Sequence, residues 1–235
     1  MSVAAILTAA GSGSRFGHAL PKALVPLAGA PLVVHAARGL AMSGLVQHII
    51  VTVPVDHRDA FVEAFAGAGP LREGLAVTFV VGGPSRQASV AAGLAALPVE
   101  ADVVLVHDAA RALAPASLSS DVIRAVRAGH RAVIPGLAVV DSVVQVVDGS
   151  AQPVDRERLR LVQTPQGFDR ALLDRAHAAA ADRARDERSA ATDDASLCAA
   201  LGEPVHVVAG HESAAKITTA RDLAVAELLL QGEPS

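Results

Sequence analysis

Arg15 and Lys22 flank a run of small residues, Ala9-Ala10-Gly11-Ser12-Gly13-Ser14-Arg15-Phe16-Gly17, that follows an apolar stretch. Glycines after a strand let backbone N–H groups approach and cradle phosphate oxygens. Two cations beside such a cradle suit a polyphosphate held for attack. A dinucleotide fingerprint would need glycine at 11, 13 and 16, and Phe16 breaks it. A Walker A loop would need Gly-Lys-Ser/Thr, whereas Lys22 follows Pro21. Taken alone, the loop also reads as a strand-to-helix turn carrying two solvated cations.

A second group, His107-Asp108-Ala109-Ala110-Arg111, closes another apolar run. Polar residues at the carboxyl end of a buried strand lie where α/β folds bind ligands. Asp108 can take a sugar hydroxyl or sit near a metal; its plain alternative is an ion pair with Arg111. His107 reads as a residue hydrogen-bonded into the fold. A third group is Gly82-Gly83-Pro84-Ser85-Arg86-Gln87-Ala88-Ser89-Val90. Its glycine pair would let a flat base lie against the backbone, and Ser89 opens a helix; alone it is a strand-to-helix turn. Arg156, Thr164, Thr192 and Lys216 are further candidates, with plain readings as arm solvation, turn, cap and solvated lysine. Cys198 lies in an Ala/Leu stretch and reads as a buried small apolar residue. The cysteine and histidines show no metal-ligand spacing.

These residues need a scaffold, and the hydrophobic pattern supplies one. Nearly continuous apolar runs at 3–9, 46–53, 75–81, 102–107 and 131–135 read as strands buried on both faces. Helical stretches at 31–44, 57–68, 88–97 and 115–129 alternate with them. This rhythm predicts a doubly wound α/β fold with a mostly parallel central sheet. Residues 138–163 break it. The segment 139–147 alternates and meets Asp148-Gly149, a hairpin turn signal. The sequence predicts a projecting β-arm at about 138–160; since a two-stranded arm is marginal by itself, it is expected to dock on a second subunit. Beyond it come a helix over 169–185, a helix capped by Thr192, a strand over 204–210 and a closing helix over 218–232 with a Thr cap. No repeat or linker divides the chain, so 1–235 reads as a single domain.

Composition narrows the function classes. Of 235 residues, 51% are hydrophobic and 19% charged, which excludes a disordered chain. Tyr and Trp are absent, so base recognition by aromatic stacking is not expected. The net charge of −4 offers no basic excess for nucleic acid. A single cysteine excludes an internal disulfide framework. No apolar run reaches membrane-spanning length, and 3–10 is too short for a signal peptide; a cytoplasmic protein is expected.

Together and in order, AAGSGSRF (9–16), PK (21–22), GGPSRQASV (82–90), VHDAAR (106–111), DS (141–142), VDR (154–156), TPQGF (164–168), TDDAS (192–196) and KIT (216–218) resemble one family. It is the 2-C-methyl-D-erythritol 4-phosphate cytidylyltransferases of non-mevalonate isoprenoid synthesis. The resemblance spans residue 3 to about 230. It implies a Rossmann-like nucleotidyltransferase domain, a homodimer joined through the β-arm, CTP and a sugar-alcohol phosphate as substrates, and Mg²⁺ or another divalent cation.

By motif position, the resemblance makes Arg15, Lys22, Arg156 and Lys216 the catalytic set. Arg15 and Lys22 would stabilise the transition state; Lys216 and Arg156, the latter from the partner's arm, would hold the methylerythritol phosphate. Ala10, Gly11, Gly83 and Ser89 would lie along CTP, with Asp108 near its ribose and the metal. Arg111, Ser142, Thr164 and Thr192 would complete the substrate site. The chain departs from the pattern at Pro84, where an acidic residue is common, at Ala112 in place of Pro, at Ala214-Ala215 before KIT, and at Ser142 in place of Thr.

The implied reaction is attack by a phosphate-monoester oxygen on the α-phosphorus of CTP. The nucleophile is already an anion at pH 7 and needs no general base. Positioning and charge stabilisation would carry the catalysis. A ribitol 5-phosphate cytidylyltransferase and a non-catalytic nucleotide-binding module are the alternatives. A nicotinamide-dependent dehydrogenase fails on the glycine spacing and on Val53-Pro54-Val55, where an acidic residue is required.

Overall fold

Along β1 (Ser2–Thr8), Val3, Ala5 and Leu7 pack into one apolar cluster and Ala4 and Ile6 into another. Side chains of a strand alternate between faces, so a strand covered on both sides must be apolar at nearly every position. The same division recurs on β6 (Ala101–Asp108), with Val103 and Leu105 in the first cluster and Val104 and Val106 in the second. This is the physical content of the unbroken apolar runs in the sequence.

The computed structural model describes residues 2–11 and 20–232. Arg15, with the rest of the glycine-rich loop from residue 12 on, lies outside the described residues. After β1 come the short strands β2 (Pro26–Leu27) and β3 (Ala30–Pro31), then α1 (Leu32–Met42), β4 (His48–Val53), α2 (Arg58–Ala68), β5 (Ala76–Val81), α3 (Arg86–Ala95), β6 and α4 (Ala116–Arg127). β7 (Ala132–Ala138) leads into β8 (Val143–Val147), β9 (Ser150–Val154), β10 (Arg160–Val162) and β11 (Gln166–Asp169). α5 (Arg170–Ala179), α6 (Asp194–Ala200), β12 (Val205–Ala209) and α7 (Ala220–Gly232) complete the chain.

Among the described residues the main sheet has eight strands, in the order β10-β7-β11-β6-β1-β4-β5, with β12 also paired to β7. β1, β4, β5 and β6 pair in parallel, as does β12 with β7. β11 runs antiparallel between β6 and β7. The α/β class and mostly parallel sheet match the expectation from the sequence. β11 departs from it: the sequence places a helix from 169 and no strand before it, because Gln, Gly and Asp leave Phe168 as the strand's one large apolar residue.

Register places the site. Thr8 pairs with both Thr52 and Asp108, so the carboxyl ends of three central strands stand level. The backbone holds them there: Ala9 N–H donates to the Thr52 carbonyl, Gly82 N–H to that of Val53, and Ala109 N–H to that of Thr8. The loops after β1, β5 and β6 therefore meet above one edge.

The hairpin turns as its Asp-Gly signal predicts. Asp148 and Gly149 both have positive φ, 49° and 77°, the requirement of a type I′ turn. β8 and β9 pair only with each other, from Val143 opposite Val154 to Val147 opposite Ser150. The free arm is shorter than 138–160: residues 136–138 and 160–162 pair within the main sheet. Thr192 is not the cap of α6. Asp193 is, its carboxylate accepting the Ser196 N–H at 2.8 Å. Thr219 and Asp222 form reciprocal hydrogen bonds at the start of α7, as the Thr cap implies.

Candidate active site

Asp108 ends β6 with its side chain 10% exposed and both carboxylate oxygens occupied. Oδ1 accepts from Thr8 Oγ1 at 3.2 Å and from Arg86 Nε at 3.2 Å. Oδ2 accepts from Lys216 Nζ at 2.8 Å. Burial alone would raise its pKa; the charges of Arg86, Lys216 and Arg111 override this and hold the carboxyl well below the usual range. Asp108 is therefore ionised at any physiological pH.

Arg86 belongs to the first turn of α3, where Ser85 is the N-cap and accepts the Ala88 N–H at 3.0 Å. Its guanidinium bridges two acids, Asp108 and, at 2.7 Å through Nη1, Asp194. Asp194 is 1% exposed, and its other oxygen accepts from His177 Nε2 at 2.9 Å. Burial opposes the charge on Arg86, and the two carboxylates more than restore it, raising its pKa. His177, Asp194, Arg86, Asp108 and Lys216 are thus linked in one chain of hydrogen bonds, largely buried from His177 to Asp108 and reaching solvent at Lys216. Sequence reading missed Arg86 and Asp194. The signal was present as two charges in turn and cap motifs, yet nothing in either motif marks its charge as buried.

His107 is structural, as expected. Its Nδ1 lies 2.8 Å from Thr164 Oγ1, and burial pushes its pKa down to about 4. The same hydroxyl accepts the Asp108 N–H at 3.1 Å. Thr164, itself buried, thereby fixes the end of β6 from below.

A cleft of about 580 Å³ opens over this rim. Ala10, Gly11, Lys22, Gly83, Ser89, Asp108 and Lys216 all line it, so seven of the residues singled out in the sequence converge. The volume falls within the roughly 300–1,000 Å³ of small-molecule sites. Lys216 is 44% exposed and pairs with Asp108, so its ammonium can reach a cleft-bound anion.

The glycine pair is required by packing. A Cβ at Gly82 would lie 2.4 Å from that of Ala10, and one at Gly83 would lie 2.4 Å from that of Ala88. Ser89 Oγ locks the loop, accepting the Gly83 N–H at 3.1 Å and donating to the Ser85 carbonyl at 2.9 Å. These contacts bring the loops after β1 and β5 together as one wall.

Other candidates lie elsewhere. Arg111 forms no ion pair with Asp108; it donates to the carbonyls of Ala214 at 2.7 Å and Val162 at 3.1 Å. It braces the segment that carries Lys216 against β10. Ser142 and Thr192 are exposed and stand outside the cleft. Arg156 sits on a turn beyond the arm, donating to the Val140 carbonyl, in a separate groove with Val139, Glu157 and Arg160. Within one subunit it does not meet the cleft.

Among the described residues no three His, Cys, Asp or Glu side chains gather to cage a metal. A permanently ionised carboxylate on the rim of a phosphate-sized cleft nonetheless fits Mg²⁺. That ion commonly takes one or two carboxylates together with substrate phosphates and water.

The model of the family described as 2-C-methyl-D-erythritol 4-phosphate cytidylyltransferase matches residues 3–232. A protein of that name from Saccharopolyspora erythraea is 48% identical over 235 residues, covering 98% of this chain and all of that one. The crystal structure of the 2-C-methyl-D-erythritol 4-phosphate cytidylyltransferase from Thermus thermophilus superposes with TM-score 0.75 at 37% identity, covering 98% of this chain and 100% of that one. The 4-diphosphocytidyl-2C-methyl-D-erythritol synthase of Anaerococcus prevotii gives TM-score 0.83 at 28% identity, covering 98% of each chain. With the family model matching residues 3–232 and a relative 48% identical over 98% of this chain, the chain belongs to the 2-C-methyl-D-erythritol 4-phosphate cytidylyltransferase family.

Proposed function

We propose that this protein transfers the cytidylyl group of CTP to 2-C-methyl-D-erythritol 4-phosphate, releasing pyrophosphate. The observation that carries this reading is the convergence of Lys22, Asp108 and Lys216 on one cleft in a chain of this family. The ribitol 5-phosphate reading and the non-catalytic reading lose their support to that family membership.

The acceptor's phosphate oxygen attacks the α-phosphorus, a new P–O bond forms, and the bond to the β-phosphate oxygen breaks. Two anions must approach each other, so positioned positive charge does most of the work. Lys22, together with Arg15, stabilises charge on the triphosphate. Ala10, Gly11, Gly83 and Ser89 form the wall along the nucleotide, and Asp108 lies by its ribose. Lys216 turns from Asp108 to the acceptor phosphate. Thr164 and Arg111 position these groups from outside the cleft. Asp108 would hold Mg²⁺ or another divalent cation, which supplies charge neutralisation between phosphate oxygens.

Arg156 completes the acceptor site from a second subunit, with Ser142 and Thr192 contributing hydroxyls at the same mouth. The arm supports this. Val144, Val146 and Val147 are exposed on a hairpin whose strands pair with no other strand among the described residues. A homodimer would cover them. Among the described residues no helix is long and apolar enough to cross a membrane. The small, charged substrates fit a cytoplasmic setting. The test is pyrophosphate release from CTP with methylerythritol 4-phosphate and ribitol 5-phosphate offered separately. Release with the former supports the reading; faster release with the latter overturns it.

A further inference from the structure

Along one wall of the cleft several hydrogen-bonding groups are already committed. The Gly83 N–H is committed to Ser89 Oγ. Pro84 has no N–H. The Ser85 hydroxyl donates to the Ala184 carbonyl at 2.7 Å and accepts from the Ala88 N–H. Over this wall stands Glu187, from the turn between α5 and α6, and it too lines the cleft. Glu187 Oε2 accepts the Arg86 N–H at 2.9 Å, which fixes the carboxylate in place. An ionised carboxylate has about four lone-pair positions and one is used here. Beside the Arg86 guanidinium, whose Nε and Nη1 are committed to Asp108 and Asp194, Glu187 therefore offers open acceptor positions to the cleft.

A triphosphate is repelled by Glu187 at this wall. It belongs by Lys22 and Lys216, which line the same cleft. The remaining part of a nucleotide is its base, and the base edge that suits acceptors is one that donates. We infer that Glu187 is a specificity-determining residue, accepting from the exocyclic 4-amino group of the pyrimidine and so selecting a 4-amino over a 4-oxo base. Cytosine presents an amino donor at that position, and a carboxylate is a suitable acceptor for it. Uracil presents an oxygen there, which would face the carboxylate with no hydrogen between them. This inference rests on the cytidylyl-transfer reading and names the group that makes the nucleotide CTP.

The rival role for Glu187 is a brace for the first turn of α3, where a carboxylate on a free N–H is stabilising by itself. The two roles separate on Glu187→Gln. Glutamine keeps an acceptor for the Arg86 N–H and adds an amide donor that can meet a 4-oxo group. Dissociation constants for CTP and UTP are measured by calorimetry on the full chain without acceptor substrate, followed by kcat/KM for each with acceptor. The expected result is that wild type prefers CTP and that E187Q loses about tenfold or more of that preference, as expected for one charge-assisted hydrogen bond. An unchanged CTP-to-UTP ratio, with both nucleotides weakened in parallel, overturns the inference and leaves only the brace. If wild type binds CTP selectively through Glu187 yet transfers nothing to any sugar phosphate, base reading stands and cytidylyl transfer falls.

Discussion

Lys216 Nζ donates to Asp108 Oδ2 across 2.8 Å, although the two residues are 108 positions apart in the chain. The ammonium is nearly half exposed and the carboxylate is not. Asp108 keeps Arg86 and Thr8 as partners if the lysine leaves. Lys216→Met is thus expected to fold normally and to lose its hold on the acceptor phosphate. KM for the sugar phosphate should rise by about tenfold or more, as for loss of one charge-assisted hydrogen bond, while CTP affinity moves by less than about threefold. Initial rates with each substrate varied in turn measure both quantities.

Arg86 behaves differently because it has no exposed alternative. Replacing it with methionine leaves Asp108 with a weaker set of partners and Asp194 with His177 alone, both carboxylates being desolvated. Removing one member of a buried ionic group typically costs about 3–5 kcal/mol. Urea unfolding of Arg86→Met should show a loss of that size. A loss below about 1 kcal/mol would mean that the network is solvated.

His107 sets a pH dependence of stability. Its folded pKa is about 4, against an ordinary 6.5. Below pH 6.5 the unfolded chain takes up a proton that the native imidazole refuses, so stability falls as pH drops from about 6.5 to about 4 and this term is flat below. The full term is about 3 kcal/mol by the conversion of about 1.4 kcal/mol per unit. His107→Asn should unfold more easily at neutral pH and show a shallower decline over that window. Urea midpoints at pH 7.5, 6 and 5 give the comparison. For Asp108 and Asp194 the folded pKa values are depressed below the ordinary carboxylate range, so their contribution is lost only under stronger acid.

Lys22 and Arg156 test the arm together. Lys22→Ala, like Arg15→Ala, should lower kcat by about 10²–10³, the typical effect of removing one transition-state charge donor. Arg156→Ala should raise KM for the sugar phosphate. If Arg156 acts across the dimer, a mixed dimer holds one site with both native residues. Equal mixing of the two variants should then restore up to about a quarter of native activity, half of the dimers being mixed with one good site each. No recovery in mixed dimers verified by mass spectrometry would place Arg156 outside the partner's site.

What the sequence made legible, and what it did not, follows from the range of the interactions. β1, β4 and β6 show as apolar runs because burial on two faces leaves a local mark at nearly every position, whereas β5, expected to be buried on both faces as well, is an edge strand with no fully buried residue. The Asp148-Gly149 turn is visible because positive φ restricts residue type. β11 is not visible, since three of its four residues are poor strand formers and its place between β6 and β7 is decided by distant pairing. The site shows the same division. Lys22, Gly83, Asp108 and Lys216 stand in recognisable motifs. Asp194 looks like a second cap residue, and only tertiary contact sends it inward to Arg86 while Asp193 takes the cap. Glu187 stands in a charged stretch, 182–188, that carries no periodic signal.

The most direct measurement of the central claim is phosphorus NMR of a reaction containing CTP, 2-C-methyl-D-erythritol 4-phosphate and a divalent cation. The account predicts that the acceptor's monoester resonance is replaced by the paired resonances of a diphosphate diester, with one pyrophosphate formed for each acceptor consumed. Pyrophosphate and CMP appearing beside an intact acceptor monoester would contradict it, because the cleft would then deliver water to the α-phosphorus instead of the sugar phosphate.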